Sequence, residues 1–224
     1  MPNWATNSVE VYGNKETLEK ILSDGRQGTH KIYSDWNREK GEYDSFTEHP
    51  NTFSFQSLVP APSDIPFSKV YKAGEFDKEN RDTSFANAMA GNLDFPYDNL
   101  YDWHLAHWGT KWDVGQDEVW IGSVEESGDE FVFTLGFNTA WSPACQFWNT
   151  LSEKYGVRVV NNYYEEGMDF IGTFEVDKGE ILNDSCVAIS KEMWEKAGAE
   201  FDEKGEMLWG ETETDLSVNF PIYA

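Results

Sequence analysis

The sequence predicts an α+β protein in which one sheet is covered on one face by helices. Three observations carry that expectation. Between Phe131 and Phe174 the local signals run strand, helix, strand, strand. An alternating stretch followed by an amphipathic helix stands near the N-terminus, at residues 7–12 and 15–23. Aromatic residues make up 16% of the 224 positions, enough for an ordered core despite a mean hydropathy of −0.62.

Residues 7–12 (NSVEVY) alternate and stop at Gly13-Asn14, which predicts the first strand. Residues 15–23 (KETLEKILS) place Leu18, Ile21 and Leu22 on one helical stripe, closed by Asp24-Gly25. Residues 28–50 are polar, with Trp36, Tyr43 and Phe46 scattered, and read as a loop or helical excursion. Residues 52–58 (TFSFQSL) alternate again and predict a second strand, ended by Pro60 and Pro62. An insertion spans residues 63–128. Its middle, 69–91, is polar and turn-rich, whereas 99–113 (NLYDWHLAHWGTKWD) sets Leu100, Trp103, His104, His107 and Trp108 on a helical stripe before Gly109.

In the stretch from Phe131, the residues Phe131, Phe133, Leu135 and Phe137 alternate as in a half-buried strand. Ser142-Pro143 offers an N-cap hydroxyl and a proline at the first helical position. Phe147, Trp148, Leu151 and Tyr155 follow at helical spacing, and Gly156 ends the helix. Val157, Val159 and Tyr163, then Phe170, Ile171 and Phe174, predict two strands turned at Glu166-Gly167. Beyond Asp177-Lys178-Gly179, a capped helix over 190–201 turns Met193, Trp194 and Ala197 inward, and 216–223 (LSVNFPIY) reads as an edge strand containing Pro221. Strand–helix–strand thus occurs twice, the pattern of two split βαβ halves in a ferredoxin-like sheet. The expected organisation is an α+β domain over 1–179 with the insertion 63–128, then a small acidic C-terminal lobe over 180–224.

Charge is the extreme feature. Seventeen basic residues face 41 acidic ones, a net charge of −24. Direct binding to nucleic acid or to an anionic membrane is disfavoured, because each phosphate contact needs a Lys or Arg. A basic protein partner becomes plausible instead, although on composition alone the leading reading is that the acids keep the chain soluble. No apolar run approaches 18 residues and the first residues show no basic-then-apolar leader, so a cytoplasmic protein is expected. Cys145 falls on the apolar side of its helix and is expected to be a buried free thiol, far from Cys186.

Motifs for chemistry are sparse. There is no phosphate-binding P-loop, no GxSxG and no GxGxxG. His104 and His107 stand at i, i+3, but no further ligand pattern accompanies them, so neither a metal nor a cofactor is expected. Trp4, Trp103, Trp108, Trp112 and Trp141 read as an indole cluster locking the insertion helix onto the sheet, with Lys111 held there against Asp113, Glu165 or Glu166. The alternative is an aromatic pocket for a nucleotide or peptide. Glu165-Glu166 could do acid–base work in a cleft, but beside Gly167 at a turn they are expected to be solvated.

The acids gather in two runs. One is Asp113, Asp117, Glu118, Glu125, Glu126, Asp129 and Glu130, with Glu153 beyond it and no Lys or Arg between. The other is Glu192, Glu195, Glu200, Asp202, Glu203, Glu206, Glu211, Glu213 and Asp215, with Trp209 among them as an aromatic anchor. A globule of this mass exposes roughly 10,000 Å², so even spreading gives about one net charge per ~400 Å² against about one per ~100 Å² on duplex DNA. Imitating DNA therefore requires both runs to form one contiguous face.

Four blocks stand in one order over about residues 1–179: Met1-Pro2-Asn3-Trp4 with Asn7; Trp103 and then Trp108-Gly109-Thr110-Lys111-Trp112-Asp113; Thr139-Ala140-Trp141-Ser142-Pro143; and Tyr164-Glu165-Glu166-Gly167 with Phe170 and Gly172. In these the chain resembles the Api92-like family of phage and plasmid proteins, known for a ferredoxin-like domain of unknown function. The resemblance implies a ferredoxin-like fold and a mobile-element origin, and brings no activity, cofactor or catalytic residue. The acidic charge and the segment after Gly179 depart from the family pattern.

The expected function is that of a non-catalytic phage-type protein in the cytoplasm of an infected host. It would bind and inhibit a basic, nucleic-acid-handling host protein, such as a CRISPR or restriction component, by charge complementarity or DNA mimicry. Two other readings stand beside it. One is a small hydrolase-like enzyme with a pocket between the Trp103–Trp112 segment and the sheet, using Glu165 or Glu166; the other is a structural or assembly protein. The oligomeric state is not legible in the sequence.

Overall fold

The computed structural model describes residues 3–27, 30–40, 42–48, 53–67, 78–115, 119–208 and 214–220. The sheet is built around β1 (Trp4–Gly13), which pairs antiparallel with β6 (Glu130–Ala140) on one side and β7 (Arg158–Glu165) on the other. Because both flanking strands run against β1, they run parallel to each other, and α5 (Cys145–Tyr155) connects them across it. This is a split βαβ unit. The β8 strand (Phe170–Asp177) and β9 (Glu180–Ala188) extend the sheet beyond β7, while the short β4 (Trp120–Ile121) and β5 (Glu125–Ser127) pair with β6 at the opposite edge. The sheet therefore continues past Gly179, through a strand that the sequence places in the C-terminal lobe.

Alternation decides what is buried. Val9, Val11, Phe133, Leu135, Phe137, Val159, Phe174 and Val176 point to one face, where Leu18 and Ile21 of α1 (Lys15–Asp24) and Phe147, Trp148 and Leu151 of α5 cover them. Each fully buried side chain of this size contributes about 1.5–3 kcal/mol. The α1 helix starts under an Asn14 side chain that accepts the Thr17 amide. The α5 helix ends at Gly156 with φ 66, a left-handed turn that glycine adopts without steric cost. Tyr155 donates to Asp24 and so ties the two helices together.

Several local expectations are corrected. The stretch expected as a strand over 52–58 is, over its described residues 53–58, not a strand. Ser54 caps the one-turn α2 (Phe55–Leu58), and the Asp113 carboxylate accepts from the amides of Phe55 and Gln56. Those two amides are satisfied locally and need no ladder partner, so the alternating phenylalanines pack from a helical turn. Residues 28–50 contain a hairpin, β2 (His30–Asn37) with β3 (Glu42–Glu48), instead of a loop. The turn-rich 69–91 holds α3 (Lys78–Met89), whose Ser84 and Ala88 are buried and whose Ser84 hydroxyl hydrogen-bonds Asp102 of α4 (Leu100–His107). Ser142 is not a cap. Its hydroxyl donates to the Gly109 carbonyl at 2.6 Å, and α5 begins two residues past Pro143 without a side-chain cap.

The helix after Ser190 is shorter than the sequence suggests. It is α6 (Lys191–Lys196), which Ser190 does cap. Leu216–Asn219 forms a 3-10 turn capped by Asp215, not a strand. Leu216 is fully buried there, and Phe220 follows as the C-cap; residues 221–223 lie outside the described residues.

Candidate functional site

The four sequence blocks converge at one end of the sheet. The Trp141 amide donates to the Asn3 carbonyl, Asn3 reaches Glu165, Thr110 donates to the Ala140 carbonyl, and Ser142 donates to that of Gly109. Trp4 and Trp112 approach with ring centroids 6.2 Å apart. The cluster is graded in burial. Trp108 is 2% exposed and donates its Nε1–H to the Val59 carbonyl, whereas Trp4 is 46% and Trp141 44% exposed. Trp141 also takes φ 74, so its backbone is held in the left-handed region. Trp108 is packed inside, whereas Trp4 and Trp141 form a rim.

Lys111 makes no ion pair among the described residues. Its Nζ lies 3.9 Å over the Trp112 ring, and burial pushes its pKa down. The carboxylates expected to pair with it are engaged elsewhere. Asp113 accepts from Ser54, Phe55, Gln56 and Val114. Glu165 is buried, not solvated, and accepts from the Gly167 and Met168 amides of its own turn and from Asn3. Glu166 is exposed at the turn; partial desolvation and the neighbouring Glu165 charge raise its pKa. The Glu pair is thus an anchored residue beside a surface one, with no cleft between them.

The two histidines stack as aromatic rings. His104 lies 4.0 Å from Trp108 at 11°, and His107 lies 4.1 Å from Trp103 at 13°. Burial drives His104 down to about 4, and its Nδ1 sits 2.9 Å from the Lys111 carbonyl. A neutral, enclosed imidazole packed on an indole has no open side for a ligand. No metal-holding group of His, Cys, Asp or Glu occurs among the described residues. Trp108, Phe55 and Phe147 fill the space between α4 and the sheet, with Phe55–Phe147 centroids 4.2 Å apart. Cys145 is free and largely buried, and burial raises its pKa; Cys186 is free and exposed.

Strand register places the acids. Gly13 pairs with Phe131 and Tyr12 with Arg158, so Glu125, Glu126, Asp129 and Glu130 lie at the C-terminal end of β1. The C-terminal lobe packs Ile189, Trp194, Ala197 and Leu216 on Ile171 and Tyr164, at the N-terminal end of β1. Trp194 Nε1 is anchored there by Asp169. The lobe exposes Glu192, Glu195, Glu200, Glu203, Glu206 and Asp215, while Asp202 is half-buried and caps the amides of Lys204 and Glu206. A ten-residue strand separates the β5–β6 acids from the lobe by roughly 30 Å, well beyond a Debye length, whereas Asp113 of the first run follows Trp112 at the lobe's end of the sheet. The expected single face is therefore two acidic ends. Asp117, Glu118, Trp209, Glu211 and Glu213 lie outside the described residues.

Sequence reasoning missed two constellations. On the helix-covered face, Asn161 donates to Asn7 and Asn7 to Thr139, all three buried. The available signal was phase: Asn7 shares the inward row with Val9 and Val11. On the opposite face, Arg158 lies 3.9 Å over the Tyr12 ring and 3.3 Å from Glu175, with Glu130 at 3.9 Å. Burial and Glu10, to which its hydroxyl donates, raise the Tyr12 pKa to about 12. Only the register brings those residues together.

An antiparallel sheet closed by a split βαβ unit and backed by helices defines a ferredoxin-like α+β domain. Residues 107–208 match the family model described as the ferredoxin-like domain in Api92-like protein, so that part of the chain is similar to this family's domain. A crystal structure of a protein api92 from Yersinia pseudotuberculosis is similar over 85% of this chain and 99% of that chain, at 10% identity and a TM-score of 0.44. No curated protein matches. No helix among the described residues is long and apolar enough to cross a membrane.

Proposed function

We propose that this chain is a non-catalytic, phage-type protein that works in the cytoplasm of an infected host. It binds and inhibits a basic, nucleic-acid-handling host protein, with its two acidic ends as separate docking patches. The observation that carries the reading is the distribution of exposed carboxylates: four acids on the β5–β6 hairpin and six on the C-terminal lobe, at opposite ends of the sheet. Each patch attracts cationic side chains over about a Debye length and excludes anionic competitors. Imitation of a whole DNA duplex has less support. The surface is 12938 Å², and 24 net charges over that area is one per ~540 Å², further from DNA than the sequence suggests.

Two sets of charge reversals test the reading. Glu125, Glu126, Asp129 and Glu130 change to Lys in one variant, and Glu192, Glu195, Glu203 and Glu206 in the other. Loss of low-salt retention of basic host proteins in either variant supports it. Retention equal to that of the unaltered chain in both removes it. The close packing of Trp108, Phe55 and Phe147 between α4 and the sheet lends the enzymatic alternative less support.

A further inference from the structure

The two edges of the sheet differ sharply. One is broken into β4 and β5, of two and three residues, and carries Glu125 and Glu126. Short, charged edge strands are the usual protection against unwanted pairing. The other edge is β9, nine residues long, paired to β8 along its length with one register shift at Glu175/Val176. Nothing among the described residues pairs with its outer side. Typical strands run about 5–6 residues. This one holds no proline, lysine or arginine, and it exposes Ile181 (51%), Leu182 (54%) and Val187 (54%). Its only charges are Glu180 and Asp184. A long edge with open backbone groups and exposed aliphatic side chains is a template for another strand.

We propose that β9 is a docking rail on which an extended, basic segment of a partner protein adds as a further strand. Backbone hydrogen bonds would supply affinity, and alternate side chains the selectivity. Charge selects the occupant. On the helix-covered side the rail presents Asp184, with exposed Glu153 of α5 beside the Gly179 turn. The other side presents Glu180, beside Asp177 of β8. A Lys or Arg in the incoming strand meets a carboxylate on either face. A second copy of this chain fits badly. Antiparallel self-pairing centred on the strand puts Asp184 directly against Asp184, between molecules that each carry −24. The rail is distinct from both acidic ends and does not depend on them.

The test uses a fluorescent nine-residue peptide of alternating lysine and valine, and a matched peptide N-methylated at alternate amides. Methylation keeps the charges and side chains but removes the strand hydrogen bonds. Fluorescence anisotropy against the full chain at about 150 mM salt is expected to show the unmethylated peptide binding at least about tenfold more tightly. The double change Ile181→Lys and Val187→Lys, at exposed positions and with unchanged circular dichroism, is expected to remove most of that difference. Reversing Glu192, Glu195, Glu203 and Glu206 to Lys is expected to leave the ratio between the two peptides intact, which separates this inference from the acidic-end reading. Equal binding of the two peptides overturns the proposal, as does a ratio unaffected by the β9 changes. A concentration-dependent dimer in sedimentation, abolished by the same β9 changes, overturns it in favour of self-pairing.

Discussion

Protonation of His104 should cost this protein stability in a defined pH window. Burial against Trp108 holds the folded-state pKa near about 4, against about 6.5 for an unfolded histidine. The folded value is depressed, so above pH ~6.5 both states are neutral and the group is without effect. As pH falls from about 6.5 towards 4, the unfolded chain takes up the proton first and stability is lost. At 1.36 kcal/mol per pKa unit the full loss is about 3 kcal/mol, most of which has accrued by pH ~4.5. Urea unfolding followed by tryptophan fluorescence at pH ~7.5 and ~4.5 reads this directly. The many carboxylates titrate in the same range, so the comparison is with His104→Phe, which keeps an aromatic ring on Trp108. The variant is offset by the lost contact to the Lys111 carbonyl, yet it should lose about 2 kcal/mol less than the parent between the two pH values. Equal losses in the two proteins would refute the assignment of a buried neutral imidazole.

Other expectations follow from single contacts. Asp113→Ala removes the acceptor for Ser54, Phe55, Gln56 and Val114, and should lower unfolding stability by about 2–3 kcal/mol in urea titration. Gly172→Ala sets a methyl 2.3 Å from the Ser185 carbonyl and 2.5 Å from the Tyr163 ring and hydroxyl. It should cost about 1–3 kcal/mol, seen as a fall of about 2–4 °C in Tm per kcal/mol. Of the two thiols, Cys186 should react with a disulfide reagent in the folded protein and Cys145 only after denaturation.

The strands and helices whose apolar period was clean were legible in the sequence: β1, α1, β6, α5, β7 and β8 all fall where alternation or helical spacing places them. Failures occurred where a distant side chain took over a local backbone group. Phe53 and Phe55 alternate like a strand, but the Asp113 carboxylate, far along the chain, holds their segment as a helical turn. Ser142 reads as a cap, yet the Gly109 carbonyl takes its hydroxyl. The candidate site was legible as a set of blocks but not as a geometry. Composition revealed the acidic runs. That they sit at opposite ends of β1 follows from the pairings of Gly13 with Phe131 and Thr6 with Tyr164, which only the folded sheet fixes. Likewise, Lys111 has several carboxylates near in sequence or motif, and each is committed to backbone amides or faces solvent instead.

The most direct measurement is competition for nucleic acid. A basic host protein fraction, retained on duplex DNA at low salt, is titrated with this chain, with the variant carrying Lys at positions 192, 195, 203 and 206, and with the one carrying Lys at positions 125, 126, 129 and 130. The account predicts that the unaltered chain displaces DNA-binding proteins from the duplex, that salt abolishes the effect, and that at least one reversed variant displaces far less. Undiminished DNA retention in the presence of the unaltered chain, or equal displacement by both reversed variants, would contradict it.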